Sequence, residues 1–173
     1  MRVDWDRTAL PYKLPGFHTL HLGPEPGYPF GRKGAGLLGA WKQLSTPTCD
    51  GMLLMDGDVA ADLLDLAAML AAIHVKPDIT HVAPVRLWPA TTRQDGWVWG
   101  HWEDDMTQAP ADNPRRFSFC FTYLPRRLIA ACARAGMEGW TFPQVDRLVS
   151  LECRKQRIPV NVVDGCTPKH LHF

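Results

Sequence analysis

The stretch CDGMLLMDGDVAADLLDLAAML, Cys49–Leu70, changes its apolar period once, and that change decides the fold. Gly51–Met55 is a short apolar run with no polar alternation, which predicts a strand covered on both faces. Ala60–Ile73 follows, with Leu63, Leu66, Ala67, Leu70 and Ile73 on one stripe. That spacing is helical, with Asp58 or Asp62 near the N-terminus and Pro77 beyond the end. Between strand and helix lie Asp56, Gly57 and Asp58. Side chains alternate along an extended chain, so Asp56 and Asp58 share a side at the carboxyl edge of a sheet, where open α/β folds bind ligands. Two carboxylates that close repel each other unless a cation answers them. Hard oxygen ligands suit Mg²⁺ or Mn²⁺ carrying a diphosphate, and Gly57 leaves room for a ligand to approach the backbone. The plainer alternative is that Asp58 caps the helix and Asp56 closes a turn.

Outward from this stretch, strand and helix patterns alternate. Gly34–Leu44 reads as a helix weakened by its glycines. Upstream, residues 1–30 are rich in Pro, Gly and aromatics, with one extended candidate at Phe17–Gly23. Downstream, Asp78–Trp88 reads as a strand, Phe117–Leu124 as another, and Pro125 opens a helix to about Ala135. A helix from about Gln144 to Gln156 and a strand at Ile158–Gly165 precede the tail 166–173. Residues 89–116 form a long acidic loop carrying Trp97, Trp99 and Trp102, and loops of that length in compact domains are usually functional or mobile. The pattern predicts one α/β domain over 1–173, layered around a mainly parallel sheet.

The 173 residues are 46% hydrophobic and 21% charged, the balance of a globular protein. A net charge of +1 argues against non-specific nucleic-acid binding by the whole chain. The charge is uneven: 87–112 carries one basic and five acidic residues, whereas 115–173 carries ten basic and four acidic, a local +6. A polyanionic partner for that half is one reading and a solvated surface the other. Five cysteines form no CxxC pair, the usage of a reducing compartment. With neither a signal peptide nor a membrane-length apolar run in the sequence, the expectation is a cytoplasmic chain, as a monomer or a homo-oligomer.

The segment GRKGAGLLGAWKQLSTPTCDGMLLMDGDV, Gly31–Val59, resembles the nucleotide-sugar-dependent glycosyltransferases of the A-type fold, in particular the inverting family typified by cellulose and chitin synthases. Lys33-Gly34-Ala35, Gly39-Ala40, Asp50, Leu53-Leu54 and Asp56-Gly57-Asp58 match that family in order. The resemblance implies that Asp58 binds a divalent metal and that Asp56 contacts the donor ribose or the metal's water shell. It further implies that Lys33 and Gly57 lie in the donor site, and that a carboxylate at a loop-to-helix junction is the base. The family usually shows Glu-Asp there; this chain offers Asp146 or, second, Glu138. Several members of the fold take a further metal ligand from a C-terminal histidine, for which HLHF supplies His170 and His172. The family's base-holding segment is normally longer than the 32 residues that precede Lys33 here.

The implied reaction transfers a sugar from a nucleoside-diphosphate sugar to an acceptor hydroxyl with inversion. Trp97, Trp99, Trp102 and Trp140 are candidates for an acceptor platform or lid, because aromatic faces stack on sugars and bases, or else they pack a satellite core. The acceptor class stays open among a glycan, a small molecule and a nucleic acid. Two other classes stand beside this one: a nucleotidyltransferase-like enzyme, and a non-catalytic binding module that kept the fold. No GxxxxGK[ST], GxSxG or HExxH motif appears.

Overall fold

The computed structural model describes residues 33–56, 59–83, 85–88, 98–99, 119–141 and 144–171. Phe17–Gly23, Gly57, Asp58, Trp97, Trp102 and His172 lie outside the described residues. In chain order the elements are α1 (Lys33–Leu44), β1 (Gly51–Met55), β2 (Val59–Ala60), α2 (Leu63–Val75), β3 (Thr80–Val82), β4 (Val85–Trp88) and β5 (Val98–Trp99). They continue with β6 (Phe121–Pro125), α3 (Arg126–Arg134), a 3-10 turn (Met137–Gly139), α4 (Gln144–Lys155), β7 (Val160–Val162) and β8 (Lys169–Leu171).

The architecture is mixed α/β, and the expectation of a mainly parallel sheet is corrected. The main sheet has the order β1-β6-β3-β7, in which β6 is antiparallel to both β1 and β3, and only β3 and β7 pair in parallel. The reason is connectivity. Between β3 and β6 the chain passes through β4 and β5 of a second sheet, with no helix among the described residues. β6 starts at the carboxyl edge, where Ala83 N–H donates to the Phe121 carbonyl, and runs the other way. The strands β1, β3 and β7 still point in one direction, so their carboxyl ends gather at one edge.

A second, smaller sheet, β2-β8-β4-β5, grows from that edge. Its strands β2, β4 and β8 follow β1, β3 and β7 in the chain. β2 is turned against β4, being antiparallel to β8 while β4 is parallel to it, with Val59 N–H donating to the Asp56 carbonyl (3.0 Å) between β1 and β2. The segment Asp78–Trp88, which reads as one strand, is thus two strands in two sheets, divided after Val82. The tail also contains a strand, β8, rather than only loop.

Alternation along β6 divides the core. Thr122 and Leu124 face one way, and Leu124 packs with Leu37 and Leu38 of α1, Leu128, Ile129 and Cys132 of α3, and Val145, Val149 and Cys153 of α4. Phe121 and Tyr123 face the other way, against Leu66 and Met69 of α2. Both sides of the strand are sealed, which is why all five of its residues are buried.

α2 begins with a reciprocal cap. The Asp62 carboxylate accepts from Leu64 N–H (2.8 Å) and Asp65 N–H (2.9 Å), while Asp65 accepts from Asp62 N–H (3.0 Å). Helix capping is therefore the work of Asp62, and it gives no account of Asp58.

Within the main sheet, the buried His81 of β3 is held from both sides. Its Nε2 lies 2.9 Å from the Lys76 carbonyl, and its Nδ1 lies 3.1 Å from Asn161 Nδ2. The amide must donate to Nδ1 and the carbonyl must accept from Nε2–H, so the ring is neutral. Burial lowers the His81 pKa, partly opposed by the Lys76 carbonyl and reinforced by the Lys76 charge. Tyr123 lies tilted against the ring, centroids 5.9 Å apart, with its hydroxyl donating to the Pro77 carbonyl. A His depressed in the folded state binds fewer protons there than in the unfolded chain. Its stabilisation is fully present above about pH 6.5 and is lost as pH falls, at up to about 1.4 kcal/mol per pH unit. Denaturant midpoints followed from about pH 7 to about pH 5 should fall for the native chain and flatten for His81→Gln; parallel curves would refute the assignment.

Candidate functional site at the carboxyl edge

The site is assembled by three segments that arrive at the same edge. β1 delivers Asp56, whose backbone N–H donates to the Cys120 carbonyl (3.1 Å), so the strand end is pinned to the start of β6. α1 delivers Lys33 as its first residue. The turn between α3 and α4 delivers Trp140, whose carbonyl accepts from Gly34 N–H at 3.1 Å. β6 ends at the amino edge, and α3 and α4 run up and back before β7 begins there, which puts their connecting turn near the carboxyl edge.

Lys33 Nζ lies 3.2 Å from Asp56 Oδ1, an ion pair whose side chains are 24% and 32% exposed. The ammonium also sits 5.3 Å from the centroid of the buried Phe119 ring. A positive charge does therefore stand against the first acid of the Asp-Gly-Asp motif, and it comes from the protein itself. Asp58, the second acid of the motif, lies outside the described residues.

The histidine segment reaches the same place through β8. Val59 pairs with His170 and Ala60 with Lys169, so the backbone immediately after Asp-Gly-Asp runs alongside His-Leu-His from the other end of the chain. On its other side β8 pairs in parallel with β4, where Leu87 lies opposite His170.

The sequence candidates now divide. Lys33, Asp56 and Trp140 are brought together, and His170 lies in the strand beside β2. Asp146 occupies the first turn of α4, six residues after Trp140, and its backbone carbonyl accepts from Ser150 Oγ at 2.7 Å. Glu138 is exposed in the 3-10 turn. Trp99 belongs to β5, paired through its backbone with Val85. Among the described residues no three of His, Cys, Asp and Glu form a metal-sized group, while Asp58 and His172 fall outside that set. Two contributors escaped the sequence reading. Phe119 carries no local signal for its place under Lys33. Asp65 does, since Asp62-x-x-Asp65 has the spacing of a reciprocal cap.

At the opposite end of β1, Arg126 fastens the approach to the strand. Its Nε donates to the Cys49 carbonyl (2.7 Å), another guanidinium N–H donates to the Thr46 carbonyl, and the group lies over the Trp41 ring. In this turn the Cys49 thiol pKa is lowered, first by the Thr46 N–H, then by the Thr46 hydroxyl, with burial opposing and Arg126 assisting. Burial instead pushes Cys132 and Cys166 up to about 12 and Cys153 to about 11. Brief alkylation of the native protein should label Cys49 and spare Cys120, Cys132, Cys153 and Cys166, each 0–2% exposed. Peptide mass mapping reads the result, and equal labelling at a second cysteine contradicts it.

Comparison of the chain with protein-family models, with curated proteins and with solved structures returned no match. No helix among the described residues is long and apolar enough to cross a membrane.

Proposed function

We propose that this chain is a cytoplasmic, metal-dependent glycosyltransferase that moves a sugar from a nucleoside-diphosphate sugar to an acceptor hydroxyl, with inversion. The observation that carries the reading is the β2–β8 ladder, which runs the backbone following Asp-Gly-Asp beside that of His-Leu-His at a sheet edge already holding Lys33 and Asp56. Carboxylate oxygens suit Mn²⁺ or Mg²⁺. Asp58 would hold the ion, with His170 and His172 as further candidates, and bound there it supplies Lewis acidity toward the departing nucleoside diphosphate.

The protein's own groups do the rest. Lys33 keeps Asp56 neutralised in the free chain and presents an ammonium to the diphosphate when the donor arrives, which turns a static ion pair into a phosphate contact. Asp56 then accepts from a donor hydroxyl. Gly57 lets the donor approach the strand end. Asp146, at the N-terminal turn of α4, takes the acceptor proton, with Glu138 as the second candidate. Trp140, whose carbonyl accepts from the N–H of Gly34 next to Lys33, serves as acceptor platform.

A thermal-shift series of the full chain with uridine and guanosine diphosphates and their sugars, each with and without Mn²⁺, tests the proposal. Binding at about 100 times the dissociation constant stabilises by about 2.7 kcal/mol, or about 5–10 °C for a chain of this size, and the gain should require the metal. No shift with any nucleotide would sink the reading. A metal-dependent shift without hydrolysis or transfer of the sugar would select the non-catalytic binding module instead.

A further inference from the structure

Asp65 is 7% exposed, and the proposed chemistry leaves it unused. It ties edge strand β2 of the small sheet to its neighbour β8. Its Oδ2 accepts from Asp62 N–H at 3.0 Å, two residues after β2. Its Oδ1 accepts from Thr167 N–H at 2.7 Å, two residues before β8, across 102 positions of sequence. Its backbone carbonyl accepts from the buried Cys166 Sγ at 3.3 Å. One side chain therefore fixes where β2 leaves the main sheet and where β8 enters the small one. The two strands pair over only Val59–His170 and Ala60–Lys169, too short a ladder to hold its own register.

From this geometry we infer that Asp65 is a positioning residue for the proposed divalent-metal site. It sets the distance between the chain that follows Asp56 and the strand that carries His170, without touching the ion. The inference rests on the metal-dependent reading above. Carboxylate identity matters because both oxygens accept from backbone N–H groups. In Asp65→Asn one oxygen becomes an NH₂ that faces a donor, so one of the two ties is lost while size is kept. Partners that orient metal ligands in this indirect way typically account for about 10–100-fold in affinity.

The experiment titrates Mn²⁺ alone into the full chain by water-proton relaxation and follows amide hydrogen exchange of β2 and β8. Asp65→Asn should weaken Mn²⁺ binding by about 10–100-fold and speed exchange in β2 and β8 while leaving β1 and β6 protected. Thr167→Pro, which keeps the carboxylate and deletes only the donating N–H of an exposed residue, should do the same, and it stands in should Asp65→Asn fail to fold. Asp62→Ala removes the helix cap, lowers Tm, and should leave Mn²⁺ affinity within about twofold, which separates positioning from general loss of stability. Unchanged Mn²⁺ affinity in Asp65→Asn or Thr167→Pro, or an equal loss in Asp62→Ala, overturns the inference and leaves the transferase reading standing. If the unsubstituted chain binds no Mn²⁺, the metal-dependent reading itself falls, and this role for Asp65 falls with it.

Discussion

Asp58→Ala should lower Mn²⁺ affinity by about 100-fold or more, and with it the metal-dependent binding of a nucleoside diphosphate, while Tm stays within a few degrees of the native value. The expectation follows from how charge is distributed at the edge. Two unit charges about 4 Å apart at the surface of a protein interact by about 4 kcal/mol, so a pair of neighbouring carboxylates needs positive charge nearby. Lys33, 3.2 Å from Asp56, supplies it for one of the two. Under the proposed reading Asp58 is the acid that holds the ion, so its deletion removes that ligand. The fold should tolerate the change because α2 is capped by Asp62 and Asp65. Lys33→Met gives the complementary result: Mn²⁺ binding retained, and nucleotide affinity reduced because the diphosphate loses its ammonium. Calorimetric titration of both variants with Mn²⁺, then with uridine diphosphate, distinguishes the two roles. A native-like Mn²⁺ titration for Asp58→Ala would remove the metal from this edge.

What the sequence disclosed and what it withheld divide along a physical line. Gly51–Met55 is a strand at both its expected limits, but it is an edge strand whose five residues are all partly buried, not one covered on both faces. α1, α3 and α4 appear within a residue or two of their sequence limits. The direction of β6 was not legible, since it depends on which edge the chain occupies after a long connection, and periodicity carries no such information. Nor was the division of Asp78–Trp88 between two sheets: β3 and β4 are both strands, and only their partners differ. The Asp-Gly-Asp motif raised the need for a cation, but Lys33 precedes Asp56 by 23 residues and meets it only through the packing of α1 beside β1. The histidines of the tail stood out as residue types. The strand that carries His170 did not, because three residues of ladder leave almost no trace in composition.

Gly34 should be the least replaceable residue of α1. A Cβ built there would stand 1.9 Å from the Met137 carbonyl oxygen, 3.0 Å from its carbon and 3.1 Å from the Trp140 carbonyl oxygen. Every obstacle is backbone, so no side chain can swing aside, and the 3-10 turn would have to retreat from the helix as a unit. Retreat breaks the bond from Gly34 N–H to the Trp140 carbonyl. It also draws Lys33, one residue earlier, away from Asp56 and from the Phe119 ring. Overpacking of this kind costs about 3 kcal/mol, which exceeds the roughly 1 kcal/mol that alanine gains over glycine inside a helix. Gly34→Ala should therefore lower Tm by about 4–8 °C and weaken nucleotide binding in the protein that remains folded. Gly39, in the same helix, has nothing within 4 Å of a built Cβ. There the helix-propensity gain stands unopposed, so Gly39→Ala should be neutral or stabilising by about 0.5–1 kcal/mol. Opposite signs for two glycine-to-alanine changes five residues apart, read in one melting series, would locate the contact between α1 and the α3–α4 turn. Equal effects at both positions would mean that α1 does not press on that turn, and Lys33 would then lose its support beside Asp56.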